Sequence, residues 1–208
     1  MQIYDITVPS NAKTLAFPGD QRLKIKEIAS FSKGDGYELH NIEQSLHFGT
    51  HIDFPIHIIK GGQASNDYKL DRFYINAQVV EIIDTDFIEI KHLKHLDLLE
   101  NSAILFKTRN SRQRLLFKQM SVKATFISDT AAEYILQFNP QIIGIDYLSP
   151  EPLDSADLFI HKLFLGNDIL ILESIDLFSI SPGKYLLQCF PLKLDNTEAS
   201  PVRAILFK

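Results

Sequence analysis

The chain has 208 residues, of which 45% are hydrophobic and 23% are charged, a composition typical of a globular protein with one sizeable core. Its formal charge of -5 and the absence of a long basic stretch argue against a nucleic-acid partner. No apolar run approaches the roughly 20 residues that a membrane-spanning helix needs, so we expect no membrane partner. We predict a single domain over residues 1–208.

Two sequence features, the N-terminal residues and the cysteine content, predict the cellular compartment. The opening residues, MQIYDITVPS, lack the basic start and long apolar run of a signal peptide. Cys189 is the only cysteine, and its apolar surroundings, LLQCFPL, predict a buried and unreactive thiol. Both features favour a reducing, cytoplasmic location.

Strands are predicted to dominate the first part of the chain. Short runs of β-branched and apolar residues at 2–8, 23–31 and 37–46 are separated by turn formers at 18–20 and 34–36. These runs predict a β-rich N-terminal part that leads into the most informative segment of the sequence.

That segment, residues 47–57, reads HFGTHIDFPIH and places His47, His51 and His57 beside Asp53. Imidazole nitrogens and carboxylate oxygens are preferred ligands of borderline divalent cations. A strand has a side-chain period of two and turns these four residues to one side, whereas the glycine, threonine and proline of the segment oppose a helix. We therefore predict a short strand, a bend and a metal site. The alternative is a surface turn with solvated histidines, but the flanking apolar residues favour burial.

Strands are predicted next at 77–83 and 102–107, with a helix at about 90–99 between them. His92 and His95 lie three residues apart on that helix, but lysines are interleaved with them, so we predict a solvated face and do not count them as ligands. The polar stretch TRNSRQR, residues 108–114, is predicted to be a solvated turn.

Helices and strands are predicted to alternate in the second half. Caps and helix-terminating residues predict helices at 131–137 and about 155–165, and apolar runs predict strands at 141–146, 168–172, 185–194 and 202–207. Buried strands between helices indicate a mixed sheet with helices packed on it. The predicted fold class is thus an α/β domain with a β-rich N-terminal part.

Two later residues are candidates to complete the metal site. A helix would turn His161 inward, on the face that it shares with apolar neighbours, although a core histidine bonded to a backbone carbonyl is the alternative. Glu173 ends the apolar run ILILE, and functional groups commonly lie at the carboxyl ends of such strands. The alternative for Glu173 is a strand-end acid that reaches water.

The segment HFGTHIDFPIH resembles the HxGTHxDxPxH signature of the metal-dependent cyclase family, which contains bacterial kynurenine formamidases, isatin hydrolases and polyketide-cyclase-like proteins. All fixed positions of the signature are present. Further similar segments follow in order along most of the chain: FPGD, GIDYLSP, PGKYLLQCFPLKL and SPVRAIL.

The resemblance implies a dinuclear site with two divalent ions per chain, zinc or manganese. His47, His51 and Asp53 would bind one ion and His161 the other, with Asp53 and Glu173 bridging the two. His57 would carry protons during catalysis. The resemblance also implies a swivelling β/β/α fold that assembles as a homodimer or homotetramer.

A substrate is harder to predict, because the chain departs from the formamidase pattern. Phe17 stands before Pro-Gly-Asp where formamidases have tryptophan, so a substrate-binding aromatic wall of different shape is expected. Phe48, Phe54 and Tyr68 could extend this wall or belong to the core.

The function we expect is hydrolysis of amide bonds in small molecules, and aryl formamides such as N-formylkynurenine are the leading candidate substrates. The alternatives are hydrolysis of a cyclic amide of the isatin type, a lyase or cyclase reaction at the same metals, and a non-catalytic structural metal. A structural site closes four ligands around one ion, and the additional histidines His57 and His161 count against it.

Overall fold

The computed structural model describes residues 1–118 and 123–208. Most of its strands form one nine-stranded mixed sheet that is strongly curled into a half-barrel. The strands are β1 (Ile3–Asp5), β2 (Lys24–Ala29), β3 (Leu39–Glu43), β4 (His51–Asp53), β5 (Tyr74–Ile82), β6 (Phe87–Ile88), β7 (Ala103–Thr108), β8 (Phe126–Ile127), β9 (Ile142–Ile145), β10 (Leu170–Glu173), β11 (Gly183–Gln188), β12 (Ala199–Pro201) and β13 (Ile205–Phe207). The helices are α1 (Ile90–Leu93), α2 (Arg109–Arg112), α3 (Asp129–Ile135) and α4 (Phe159–Gly166).

The large sheet has the strand order β1-β13-β11-β5-β7-β9-β10-β4-β12. Its four central strands, β5, β7, β9 and β10, run parallel, and the strands on either side are antiparallel. The sequences of β9 and β10, IIGI and LILE, are buried throughout. Such continuous apolar runs suit strands that are covered on both faces.

Each face of the central strands packs into its own core. On one face, Ile104 and Phe106 of β7 and Ile143 of β9 pack with helices α3 and α4. On the other, Leu105 packs with a second cluster that contains Phe54. This alternation follows from the two-residue period of a strand. The sheet therefore separates two hydrophobic cores, and β4 lies near one end of it.

The predicted α/β class and the mixed sheet are confirmed, whereas the swivelling β/β/α label stays a prediction. Most of the predicted strands form with shorter bounds, whereas β5 is longer than predicted and β7 is shifted by one residue. The region at 90–99 is helical only over Ile90–Leu93. The helix predicted from residue 155 begins at Phe159, because Leu158 adopts a left-handed backbone with φ of 50° that ends the preceding irregular segment. Strands β6, β8 and β12 were not predicted.

The prediction of a solvated turn at TRNSRQR is wrong for part of the segment. Asn110 and Ser111 are buried in α2. The side-chain amide of Asn110 and the backbone amides of Thr108 and Ser111 donate hydrogen bonds to the buried carboxylate of Asp146. Arg112 and Gln113 are exposed, and Arg114 is half-buried. The stretch therefore anchors the end of β7 to the end of β9.

Two other expectations concern Cys189 and membrane association. Cys189 is buried, and burial raises the pKa of its thiol to about 12, as expected for an unreactive core thiol. Within the two described ranges, no helix is long and apolar enough to span a bilayer.

Candidate metal centre

Neighbouring strands bring the first predicted ligands together. His51 and Asp53 lie on β4, two residues apart, so both side chains point to the same face. Strand β10 pairs with β4 in antiparallel register, with Glu173 opposite His51. His161 reaches the same place from α4. The structure therefore brings together residues from three separate stretches of the chain.

The first set of ligand atoms forms a nearly regular triangle. His47 Nδ1 lies 3.2 Å from His51 Nε2 and 3.0 Å from Asp53 Oδ1, and His51 Nε2 lies 3.3 Å from Asp53 Oδ1. Ligand atoms about 2.0 to 2.1 Å from a tetrahedral zinc ion are about 3.3 to 3.4 Å apart. Glu173 Oε2 lies 3.3 Å from His51 Nε2 and offers a fourth ligand atom. The spacing suits one divalent cation.

A second set of ligand atoms shares the two carboxylates. His161 Nε2 lies 3.3 Å from Glu173 Oε1 and 3.8 Å from Asp53 Oδ2. Asp53 and Glu173 thus each direct one oxygen toward the first set and the other toward His161. This is the arrangement that a pair of bridging carboxylates requires.

Unsatisfied polar atoms test whether metal ions fit here. Both carboxylate oxygens of Asp53 and Oε1 of Glu173 are buried, and within residues 1–118 and 123–208 none of them accepts a hydrogen bond. Leaving a carboxylate in that state is costly. Cations at the shared positions would satisfy these oxygens, and would also separate the two imidazole nitrogens that face each other at 3.2 Å. The residues present therefore fit divalent metal ions.

The electrostatics of the metal-free cluster follow from this crowding. Burial opposes the charge of the His51 ring, but the facing carboxylate of Asp53 outweighs it and raises the His51 pKa well above its usual value. His161 behaves alike: burial opposes its charge, yet the carboxylates of Glu151 and Glu173 raise its pKa to about 10. Burial would raise the pKa of Asp53, but the charges of His47 and His51 hold it well below its usual value. Without metal, His51 and His161 therefore carry protons that face the ionised carboxylates.

His57 differs from the other histidines of the cluster. It ends the short turn Pro55–His57 that follows β4, with its ring centroid 4.4 Å from that of His47 and 5.9 Å from that of His161. It forms no ion pair with Asp53 or Glu173 at salt-bridge distance, although one of its nitrogens lies within 4.8 Å of ligand atoms of His47 and Asp53. Burial lowers its pKa, so its ring is neutral at neutral pH.

The cluster opens into a cavity with a volume of about 350 Å³. Phe17 lines it, whereas Phe48 and Phe54 are core residues that do not, and a substrate-binding role for Phe17 stays a prediction. The full lining is Phe17, Asp20, His47, Asp53, His57, Leu148, Ser149, Pro152, Leu153, Ser155, Leu158, His161 and Glu173. The leucines of this wall were not predicted, because nothing in their local sequence distinguishes them from core residues.

A larger open groove of about 730 Å³ adjoins this cavity and shares Pro152 and Ser155 with it. Its lining contains no histidine, so the groove lacks the chemistry of the metal cluster. Glu151, which lines the groove and bonds His161, was also not predicted. It stands between two prolines, and that pattern gives no sign of its partner.

Comparison with known proteins identifies the family. Residues 4–152 match the family model described as "Putative cyclase", and the chain therefore belongs to this family. A kynurenine formamidase from Salinibacter ruber is 31% identical over 208 residues, covering 99% of this chain and 97% of that protein. A kynurenine formamidase from Geobacillus thermodenitrificans is 32% identical over 192 residues, covering 92% of this chain and 90% of that protein.

Solved structures share the fold over nearly the whole chain. A predicted metal-dependent hydrolase from Bacillus stearothermophilus superimposes with a TM-score of 0.84 at 28% identity, covering 99% of this chain and 97% of that one. Isatin hydrolase A from Labrenzia aggregata superimposes with a TM-score of 0.85 at 20% identity, covering 99% and 93%. At that lower identity the second likeness shows the fold alone.

Proposed function

We propose that the chain is a dinuclear metal-dependent hydrolase of amide bonds in small molecules, with aryl formamides of the N-formylkynurenine type as its leading substrates. The observation that carries the proposal is the pair of buried carboxylates, Asp53 and Glu173, whose oxygens are divided between two groups of imidazoles beside a cavity. The kynurenine formamidases that match over nearly the whole chain support it.

The ligand assignment follows the spacing of the donor atoms. His47 and His51 would hold one ion and His161 the other, and Asp53 and Glu173 would be shared between them. Zinc and manganese both accept imidazole and carboxylate ligands. When bound, two such ions supply a water molecule ionised near neutral pH and a positive charge that stabilises an oxyanion.

His57 acts as the proton carrier. Its ring lies beside the ligands and faces the cavity, and burial lowers its pKa, so the neutral ring can accept a proton from the attacking water. When the carbon–nitrogen bond of the formamide breaks, the leaving amine must take up a proton. His57 returns the proton to that nitrogen, and formate and the free aryl amine leave.

The cavity wall positions the aryl ring. Phe17, Leu148 and Leu158 offer apolar surface in the cavity that the histidines line. Such surface favours an aromatic group, while the polar atoms fix the orientation of the reacting carbonyl. The volume of about 350 Å³ lies within the range of small-molecule sites.

We also propose that the chain assembles as a homodimer or homotetramer. Strands β2 and β3 form a two-stranded sheet of their own, and Ile25 and Ile42 pair across it while remaining 57% and 68% exposed. An isolated hairpin is only marginally stable, and a second copy packed against these side chains would stabilise it. Sedimentation equilibrium of the protein, with Ile25→Lys as the variant, tests this assembly.

The function is tested with protein from which metal has been removed and to which zinc or manganese is then added. N-formylkynurenine, formanilide and isatin are offered as substrates, and Asp53→Asn serves as the matched control. We expect hydrolysis of the formamides, two ions per chain, and incorporation of ¹⁸O from labelled water into formate. If isatin alone is ring-opened, the substrate class is cyclic amides instead. Hydrolysis of formamides would be contradicted by turnover without ¹⁸O incorporation, or by no turnover with two ions bound.

A further inference from the structure

Glu151 is a buried acid that the proposed chemistry does not use. Its side chain is 2% exposed, and it lies in the irregular segment between β9 and α4. One carboxylate oxygen, Oε1, accepts hydrogen bonds from His161 Nδ1 and, at 3.2 Å, from the His161 backbone amide. A buried carboxylate directed at one histidine in this way requires an explanation.

The same carboxylate holds the beginning of helix α4. The first amides of a helix have no partner within the helix, and Leu158, which precedes α4, provides no side-chain cap. Glu151 accepts from two of these amides, those of Ile160 at 3.4 Å and His161 at 3.2 Å. The position of the helix start and the direction of the His161 ring therefore depend on one group.

The two sets of ligands are supported differently. His51, in the first set, bonds the backbone carbonyl of Gly49 through Nδ1 at 2.8 Å. His161, in the second set, bonds a charged carboxylate instead. A carboxylate that accepts the Nδ1 proton leaves Nε2 free as the ligand atom and increases its basicity. Nε2 of His161 is the atom that lies 3.3 Å from Glu173.

We propose that Glu151 is a positioning residue for the second metal ion: it fixes the His161 ring with Nε2 toward Asp53 and Glu173, and so sets the affinity of that ion without affecting the first. The proposal rests on the proposed dinuclear function. It concerns metal affinity, however, and can be tested without turnover.

Ser155 provides a matched control within the same contact network. Its hydroxyl donates to Oε2 of Glu151 at 3.0 Å and lines the cavity, but it does not contact the His161 ring. Ser155→Ala therefore removes a hydrogen bond from Glu151 while leaving the bond from Oε1 to His161 in place. Glu151→Gln keeps an acceptor oxygen at that position but removes the charge, and Glu151→Ala removes both.

The test is equilibrium dialysis of the metal-free protein against buffered zinc, with metal counted by mass spectrometry, and titration with Co²⁺ followed by visible absorption. We expect two ions in the unmodified protein and in Ser155→Ala. In Glu151→Ala the affinity for one ion should fall about 10- to 100-fold, while the affinity for the other is unchanged. In Glu151→Gln the affinity for the weakened ion should lie between those of the unmodified protein and Glu151→Ala. Circular dichroism identifies variants that fail to fold, and the glutamine variant keeps the test decisive if the alanine variant is among them.

Three results would overturn the inference. Unchanged binding of both ions in Glu151→Gln and Glu151→Ala would show that Glu151 does not act on the metal site. Equal weakening of both ions would show that its role is structural. An unmodified protein that binds fewer than two ions would refute the proposed dinuclear function together with the inference, whereas the first two results leave that function intact.

Discussion

Metal binding to this cluster should release protons, and the pH dependence of metal affinity measures how many. In the metal-free protein the pKa of His51 lies well above its usual value and that of His161 is about 10, because the facing carboxylates outweigh the effect of burial. Metal ions bind only the unprotonated nitrogen. Both imidazoles must therefore lose a proton when the two ions bind near neutral pH.

The size of the effect follows from this count. Each proton released per binding event contributes about a tenfold change in apparent affinity per pH unit. Two protons make the combined binding constant for the pair of ions about 100-fold larger for each unit of rising pH above neutrality. The dependence flattens toward pH 10, where His161 loses its own proton. Lowering the pH should therefore release metal from the protein.

This slope is measured by competition titration against a chromophoric chelator between about pH 6.5 and 8.5. The chelator also keeps the concentration of free zinc low. Calorimetry in buffers of different ionisation enthalpy counts the protons independently. Ionisation of a metal-bound water adds to the count and never reduces it. Release of less than about one proton per pair of ions would refute the conclusion that the carboxylates keep His51 and His161 protonated in the metal-free protein.

Three further predictions use other parts of the structure. His57→Ala should keep both ions, measured by mass spectrometry, while turnover falls by about 10² to 10⁴, as for loss of a general acid or base; loss of metal would instead make His57 a ligand. Because its pKa is raised, His161 stabilises the metal-free protein; this contribution is complete below pH 6.5 and is lost as the pH rises to about 10. The free energy of unfolding measured in urea should therefore fall between these pH values. An unfolding free energy that stays constant would contradict the ion pairing of His161. Gly144→Ala places a Cβ 2.4 Å from Leu105 Cδ2 and should destabilise the protein by about 1 to 3 kcal/mol in urea unfolding, whereas Gly36→Ala, which meets no atom within 4 Å, should not.

The part of the site that could be predicted from sequence is the part that one strand carries. His51 and Asp53 are two residues apart, and a strand turns such positions to the same side whatever the rest of the fold does. The strands of the central sheet were predictable for a similar reason, since runs such as IIGI and LILE are apolar enough to require burial on both faces. Short-range periodicity was sufficient in both cases.

The rest depends on contacts between distant residues, which periodicity does not encode. Glu151 and His161 are ten residues apart across an irregular segment, and their bond depends on where α4 begins. That position is set by the left-handed backbone of Leu158, a conformation rare for leucine. The leucines of the cavity wall have the same character as core leucines in sequence, and only the path of the irregular segment between β9 and α4 places them at the cavity.

The two halves of the cluster therefore differ in how firmly they are held. His51, Asp53 and Glu173 lie on paired strands, and the register that places Glu173 opposite His51 cannot slip by one residue without turning their side chains to the other face of the sheet. His161 lies instead in the first turns of an eight-residue helix, whose start is held by Glu151. Helix termini open at lower free energy than central strands do. The ion next to His161 should thus be the more weakly bound of the two, and a metal titration should show two steps, of which only the weaker responds to changes at Glu151.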